Sequence, residues 1–156
     1  MKKYNVKNYV RYKEDLKRSN SRIPIKNFID YTPAELKIVF LPLVENIGRK
    51  FATSQEASGV MSINDIIQEG SFQLCKAVDK IDRLRLMQSE DIEQTLKSFL
   101  AKRIRGGIRR EIDKNRGTMR IPEHKLNEIR KDGGKDKKMV AMFFNSIFLS
   151  IDANPN

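Results

Sequence analysis

The sequence predicts an all-α chain, and three observations carry that expectation. Apolar residues recur at intervals of three and four along most of its length. Thr32-Pro33-Ala34-Glu35 and the stretch from Ser62 to Asp65 have the spacing of a capping box, in which a hydroxyl and a carboxylate satisfy free helix-end N–H groups reciprocally. Alternating apolar and polar runs, the mark of strands, are almost absent. The 156 residues fit one domain, and a 39% hydrophobic share suffices for a core without staples.

The N-terminal stretch, 1–30, is a basic arm or helix. Lys2, Lys3, Lys7, Arg11, Lys13, Lys17, Arg18, Arg22 and Lys26 interleave with Tyr4, Tyr9 and Tyr12. Two readings are open: an arm that follows phosphates and stacks on bases, or a helix whose tyrosines touch the core. A core helix opens at Thr32 with Pro33 in its first position. Leu36, Val39, Phe40, Leu43, Val44, Ile47 and Phe51 form its buried stripe, and Pro42 is expected to kink or split it. Thr53 to Gly59 reads as a loop. A second helix starts at Ser62 and buries Ile63, Ile66, Ile67, Leu74, Val78 and Ile81. A third is expected from near Ser89, where Glu90, Asp91 and Glu93 suit the positive end of a helix dipole. Its stripe is Ile92, Leu96, Phe99 or Leu100, Ile104, Ile108 and Ile112, and Arg116-Gly117 ends it. Pro122 opens a short helix to about Arg130. A charged linker, 131–138, leads to an apolar tail, 139–156.

Charge and composition narrow the function. The chain has 31 Lys and Arg against 20 Asp and Glu, and its net charge of +11 points to a polyanionic partner. One cysteine, Cys75, leaves no internal disulfide framework and no multi-cysteine zinc site. One histidine, His124, leaves little room for a Ser-His-Asp triad or His-rich metal chemistry. Met1-Lys2-Lys3-Tyr4 runs into polar sequence, so no signal peptide is expected, and no apolar run approaches the ~20 residues of a membrane span. The expected setting is cytoplasmic, without membrane contact. With no credible nucleophile or acid–base pair, no enzymatic activity, cofactor or metal is expected.

Two segments have opposite character. Asp65, Gln68, Glu69 and Gln73 are spaced to share one helix face, continued by Asp79 and Asp82. A solvated acidic face is the plain reading, and a docking surface for a basic protein is the functional one. On the third helix, Lys102, Arg103, Arg105, Arg109, Arg110, Lys114 and Arg116 stand against only Glu111 and Asp113. Arg103, Arg110 and Lys114 can line one groove, and Lys102, Arg105, Arg109 and Arg116 another, each suited to neutralising phosphates. Gly106 and Gly107 lie among them at a helix cost of about 1 kcal/mol each relative to Ala. That cost implies close approach by another helix or by a nucleic-acid backbone, or else a turn between two helices.

These residues resemble a known family. Asp65-Ile66-Ile67-Gln68-Glu69-Gly70, continued by Leu74-Cys75-Lys76-Ala77-Val78-Asp79-Lys80, is similar to the D-L-I-Q-E-G…L-x-K-A-V-D-K-F signature of bacterial sigma factors. Phe99 to Arg110 resembles the F-x-x-Y-A-x-x-R-I-R-G-A segment of alternative sigma factors. Thr118-Met119-Arg120-Ile121-Pro122-Glu123-His124 resembles R-T-I-R-I-P-x-H, the join from sigma region 2 to region 3. The three motifs keep the family order over roughly residues 32–130.

The resemblance implies a compact helical region 2 at 31–116, the start of a region 3-like helix at 117–130, and two binding roles. Asn64, Asp65, Gln68, Glu69, Ser71 and Cys75 match positions that bind the clamp helices of the largest subunit of RNA polymerase core. Phe99, Lys102, Arg103, Arg105, Gly106, Arg109, Arg110, Lys114, Arg116 and Arg120 fall in the part that melts the minus-ten promoter element and holds its non-template strand. Phe99 stands where relatives usually have Tyr, so it offers a stacking face without a hydroxyl. Lys102 and Arg103 stand where primary sigma factors place a tryptophan wedge, which shifts melting toward arginine planes and phosphate contacts. Gly106 and Arg109 replace positions that read the duplex edge, so the promoter consensus does not carry over.

The implied function is promoter-specific initiation, with a clamp-binding regulator that leaves DNA closed as the alternative. The sequence after Arg130 is short for the domain that reads the minus-thirty-five element, as in minimal phage-encoded late sigma factors. In some of those an apolar C-terminal segment binds the replication sliding clamp. Phe143, Phe144, Ile147, Phe148 and Leu149 form a comparable tail; folding back on the domain, and Ser150-Ile151-Asp152-Ala153 as the relic of a region 3 junction, are the other readings.

Overall fold

Helices account for every regular element in the computed structural model, which describes residues 6–52, 61–115, 121–133 and 135–138. They are α1 (Val6–Ser21), α2 (Pro33–Val39), α3 (Leu41–Phe51), α4 (Ile63–Val78), α5 (Arg83–Met87), α6 (Ile92–Lys114) and α7 (Glu123–Asp132). Both capping boxes form. Thr32 Oγ1 accepts from the Glu35 N–H at 3.2 Å while the Glu35 carboxylate accepts from the Thr32 N–H at 2.8 Å. The Lys26 ammonium also donates to that carboxylate, and with the Thr32 bond it pulls the Glu35 pKa down to about 2. Pro42 splits the first core helix in two: Phe40 ends α2 and caps α3, where the proline sits in the first turn and no N–H is missed.

The core is the meeting of α3, α4 and α6. Val44, Ile66, Leu74, Leu100, Ile104 and Ile108 are completely buried, and each such side chain contributes about 1.5–3 kcal/mol. Leu100, Ile104 and Ile108 stand one turn apart and make the seam of α6. The helices converge because residue 70 has no side chain. A Cβ on Gly70 would lie 2.7 Å from Val44 Cγ1 and 3.2 Å from Ile108 Cδ1.

Several expectations need correction. Of the residues Phe99 and Leu100, it is Leu100 that is buried, and Phe99 is only half-buried. Val39, Leu43, Phe51, Ile63, Ile81 and Ile92 are also half-buried, and Ile81 lies beyond the end of α4. The third helix starts at Ile92, not near Ser89, because Asp91 is its cap and accepts from the Gln94 N–H. Ser89 instead donates its hydroxyl to the Leu86 carbonyl at 2.7 Å, closing α5, a short helix the spacing did not announce. The expected linker at 131–138 is helical at both ends: Lys131 and Asp132 belong to α7, which Gly133, at φ 63°, ends in the left-handed conformation, and Lys137 and Lys138 are helical too. Tyr4, the loop at 53–59, Arg116-Gly117 and the apolar tail lie outside the described residues.

Within the described part of the N-terminal stretch, Val6–Ser21 is helical. Tyr9 and Tyr12 of α1 pack against the core, and the Tyr9 hydroxyl donates to the buried Glu45 carboxylate of α3. Arg49 lies 3.6 Å from the same oxygen. Burial, reinforced by Glu45, pushes the Tyr9 pKa up to about 12. At the other end, Leu126 is buried, and the Arg130 guanidinium bonds to the buried Asp113 carboxylate, fastening α7 to α6. Among the described residues no helix is long and apolar enough to cross a membrane.

Candidate docking and nucleic-acid surfaces

The acidic run expected on the second helix divides by task. Asp65 closes the α4 capping box, accepting from the Ser62 N–H at 2.8 Å and from its hydroxyl at 2.7 Å. Asp79 pairs with Lys37 at 2.8 Å, and Asp82 caps α5 by accepting from the Leu84 and Arg85 N–H groups. The plain structural reading therefore accounts for part of the run. Asp65 and Gln68 are exposed, while Asn64, Glu69, Ser71 and Cys75 are half-buried. Gln73 does not share the exposed face: it donates to Glu69 Oε1 at 2.7 Å, and its stem lies over Gly107. The Ser71 hydroxyl is taken by the Ile67 carbonyl at 2.8 Å.

Gln68 stands between two hollows. One, about 410 Å³, is lined by Asn8 and Tyr12 of α1 with Asn64 and Ser71 of α4. The Tyr12 hydroxyl is buried without a hydrogen-bond partner. The other, about 510 Å³, lies between α4 and the end of α6 and includes Asp65, Glu69, Phe72 and Glu111. Phe72 is 52% exposed and was not among the expected site residues. Its signal was an apolar residue one turn beyond Gln68 on the polar side of the helix.

The cations of α6 form two faces, divided by the buried seam. Lys102, Arg105 and Arg109, joined by Lys97, surround a shallow groove of about 610 Å³ in which Gly106 is exposed. Arg103, Arg110 and Lys114 line a second groove of about 540 Å³, where Lys76 of α4 and Lys80 just beyond it add two cations that no spacing along α6 implies. Glu69, Glu111, Asp113 and Glu123 line it too, so its charge is mixed. The Arg103 guanidinium lies 5.4 Å from the centroid of the Phe99 ring, a cation–π contact.

The paired glycines separate. α6 runs through both without a turn, Gly107 is buried against Gln73, and a Cβ on Gly106 would meet nothing within 4 Å. Arg116 and Arg120, and the tail residues Phe143, Phe144, Ile147, Phe148 and Leu149, lie outside the described residues. Among the described residues no group of three or more His, Cys, Asp or Glu is placed to hold a metal ion. No protein-family model matches the chain, and no curated protein matches it.

Proposed function

We propose that this chain is a sigma-type initiation factor that docks on RNA polymerase core and directs transcription by melting a minus-ten-like promoter element. The observation that carries this reading is the division of charge between two packed helices. Asp65, Gln68 and Glu69 of α4 line one hollow, while α6 presents Lys102, Arg105 and Arg109 on one face and Arg103 and Arg110 on the other, in the groove of mixed charge. Opposite potentials on one small domain suit it to hold a basic protein surface and a nucleic acid at once. Phe99 beside Arg103 supports capture of an unpaired base, since stacking offsets part of the few kcal/mol that base extrusion costs. The three sigma-like motifs support the same assignment and point to the clamp helices of the largest subunit as the protein partner, and to the non-template strand as the nucleic acid. RNA synthesis belongs to the polymerase, so the chain itself is not an enzyme, and its place of action is the bacterial cytoplasm.

Run-off transcription with core polymerase tests the proposal, on both duplex and premelted templates. Promoter-dependent transcripts are expected only when the chain is added. Gln68→Ala with Glu69→Ala should abolish core binding. Phe99→Ala with Arg105→Ala should keep core binding and lose open complexes. Output unchanged by the protein would overturn the reading. Open complexes that survive the second pair would leave clamp binding without DNA melting by these residues.

A further inference from the structure

Phe72 is the one exposed aromatic side chain among the described residues. Leaving half of a phenyl ring in water forgoes favourable burial, and such a ring is a common anchor for a protein partner. It shares its hollow with the carboxylates of Asp65, Glu69 and Glu111; no described residue lining the hollow is cationic, although Lys114, outside it, pairs with Glu111 at 3.4 Å. This occurs on a chain of net charge +11. The ring already attracts a cation: the Lys76 ammonium lies 4.0 Å from its centroid, and Lys76 is not among the residues that line the hollow.

We infer that Phe72 anchors the docked protein, and that the hollow between α4 and the end of α6 receives an arginine from a basic segment of that partner. The inference rests on the docking reading above and adds to it an anchor residue and the chemistry it selects. A planar guanidinium can stack on the ring while its edge N–H groups reach carboxylates, whereas a lysine ammonium does not stack as a plane. A nucleic acid is the wrong occupant, because Asp65 and Glu69, whose hydrogen bonds come from the neutral Ser62 and Gln73, repel phosphate, and Lys114 offsets only Glu111. A wholly apolar segment is also wrong: the bonds these carboxylates make to Ser62, Gln73, Asn115 and Lys114 bring only one cation, so it would desolvate negative charge that the chain itself does not neutralise.

Two measurements on the full chain test this. The first is affinity for RNA polymerase core. Phe72→Ala is expected to weaken it about tenfold, with Phe72→Trp restoring it and the thermal unfolding midpoint unchanged. The second uses two synthetic helical peptides of equal charge, one carrying arginines and the other lysines. The wild type should prefer the arginine peptide about fivefold, and Phe72→Ala should erase the preference. Core binding that is undiminished by Phe72→Ala overturns the inference while leaving the docking proposal intact. If the wild type does not bind core, the docking proposal fails and the peptides decide: an arginine preference that depends on Phe72 upholds the hollow, and no such preference overturns it.

Discussion

Gln73 of α4 occupies the space that a side chain at position 107 would need, and Gly107 of α6 is buried beneath it. A Cβ there would collide with the Gln73 stem, so the present packing of that side chain between the helices needs glycine at 107. The contact places the exposed ridge of α4 beside the cations of α6.

Gly107→Ala is accordingly expected to destabilise the fold by about 1–2 kcal/mol, the overpacking cost exceeding the gain in helix propensity. In a Gln73→Ala background the same change should be neutral or stabilising, because the obstructing atoms are gone. Urea unfolding of the four proteins in this cycle measures the coupling. Additive effects would show that the packing of Gln73 does not need glycine at 107.

Gly106→Ala is expected to have the opposite sign. Nothing within 4 Å opposes a Cβ at position 106, so Ala should stabilise α6 by up to about 1 kcal/mol. A glycine with no packing reason, set among Lys102, Arg105 and Arg109, fits close approach of a phosphate backbone. The more stable variant should therefore bind an AT-rich single strand less tightly, as fluorescence anisotropy would show. Equal or tighter binding would remove that account of the residue.

Charge and stacking on α6 should separate in salt titrations. Arg105→Ala with Arg109→Ala should lower the slope of log affinity against log salt by about 1.4 on single-stranded DNA, the value for two phosphate contacts. Phe99→Ala should weaken binding by about 1–3 kcal/mol and leave the slope unchanged. A slope that moves with Phe99 would mean that the ring acts through the neighbouring Arg103.

Alkaline stability should depend on Tyr9. Its pKa rises from 10.0 to about 12 on folding, so between these values the unfolded chain loses the proton first and stability falls as pH rises. Below pH 10 the contribution is fully present. Burial also raises the Tyr12 pKa, which acts in the same direction. Tyr9→Phe should lose about 1–2 kcal/mol at neutral pH, where it leaves Glu45 without the phenol donor, and should show a shallower decline above pH 10. Parallel profiles for the two proteins would contradict the coupling.

Local rules were legible wherever one turn of chain contains its own partner. Thr32 with Glu35 and Ser62 with Asp65 close within three residues, and Pro42 can be placed by its missing N–H alone. The buried stripe of α6 follows from its period. The short helix α5 was not legible, because Asp82 and Ser89, which cap and close it, are common loop residues with no apolar period between them. The role of Phe72 was not legible, because an apolar residue on a polar face gains its meaning from the carboxylates that the fold brings around it.

By itself the sequence determined the helical class, the two box-capped helices, the proline break and the segregation of acidic from basic stretches, all of which depend on residues within a few positions of one another. Only the tertiary structure decided that Gly107 serves helix packing and Gly106 does not, that Leu100 and not Phe99 enters the core, and that α1 is held by Tyr9 on Glu45. Those outcomes depend on which atoms of distant segments occupy the same space, and no spacing along the chain records that.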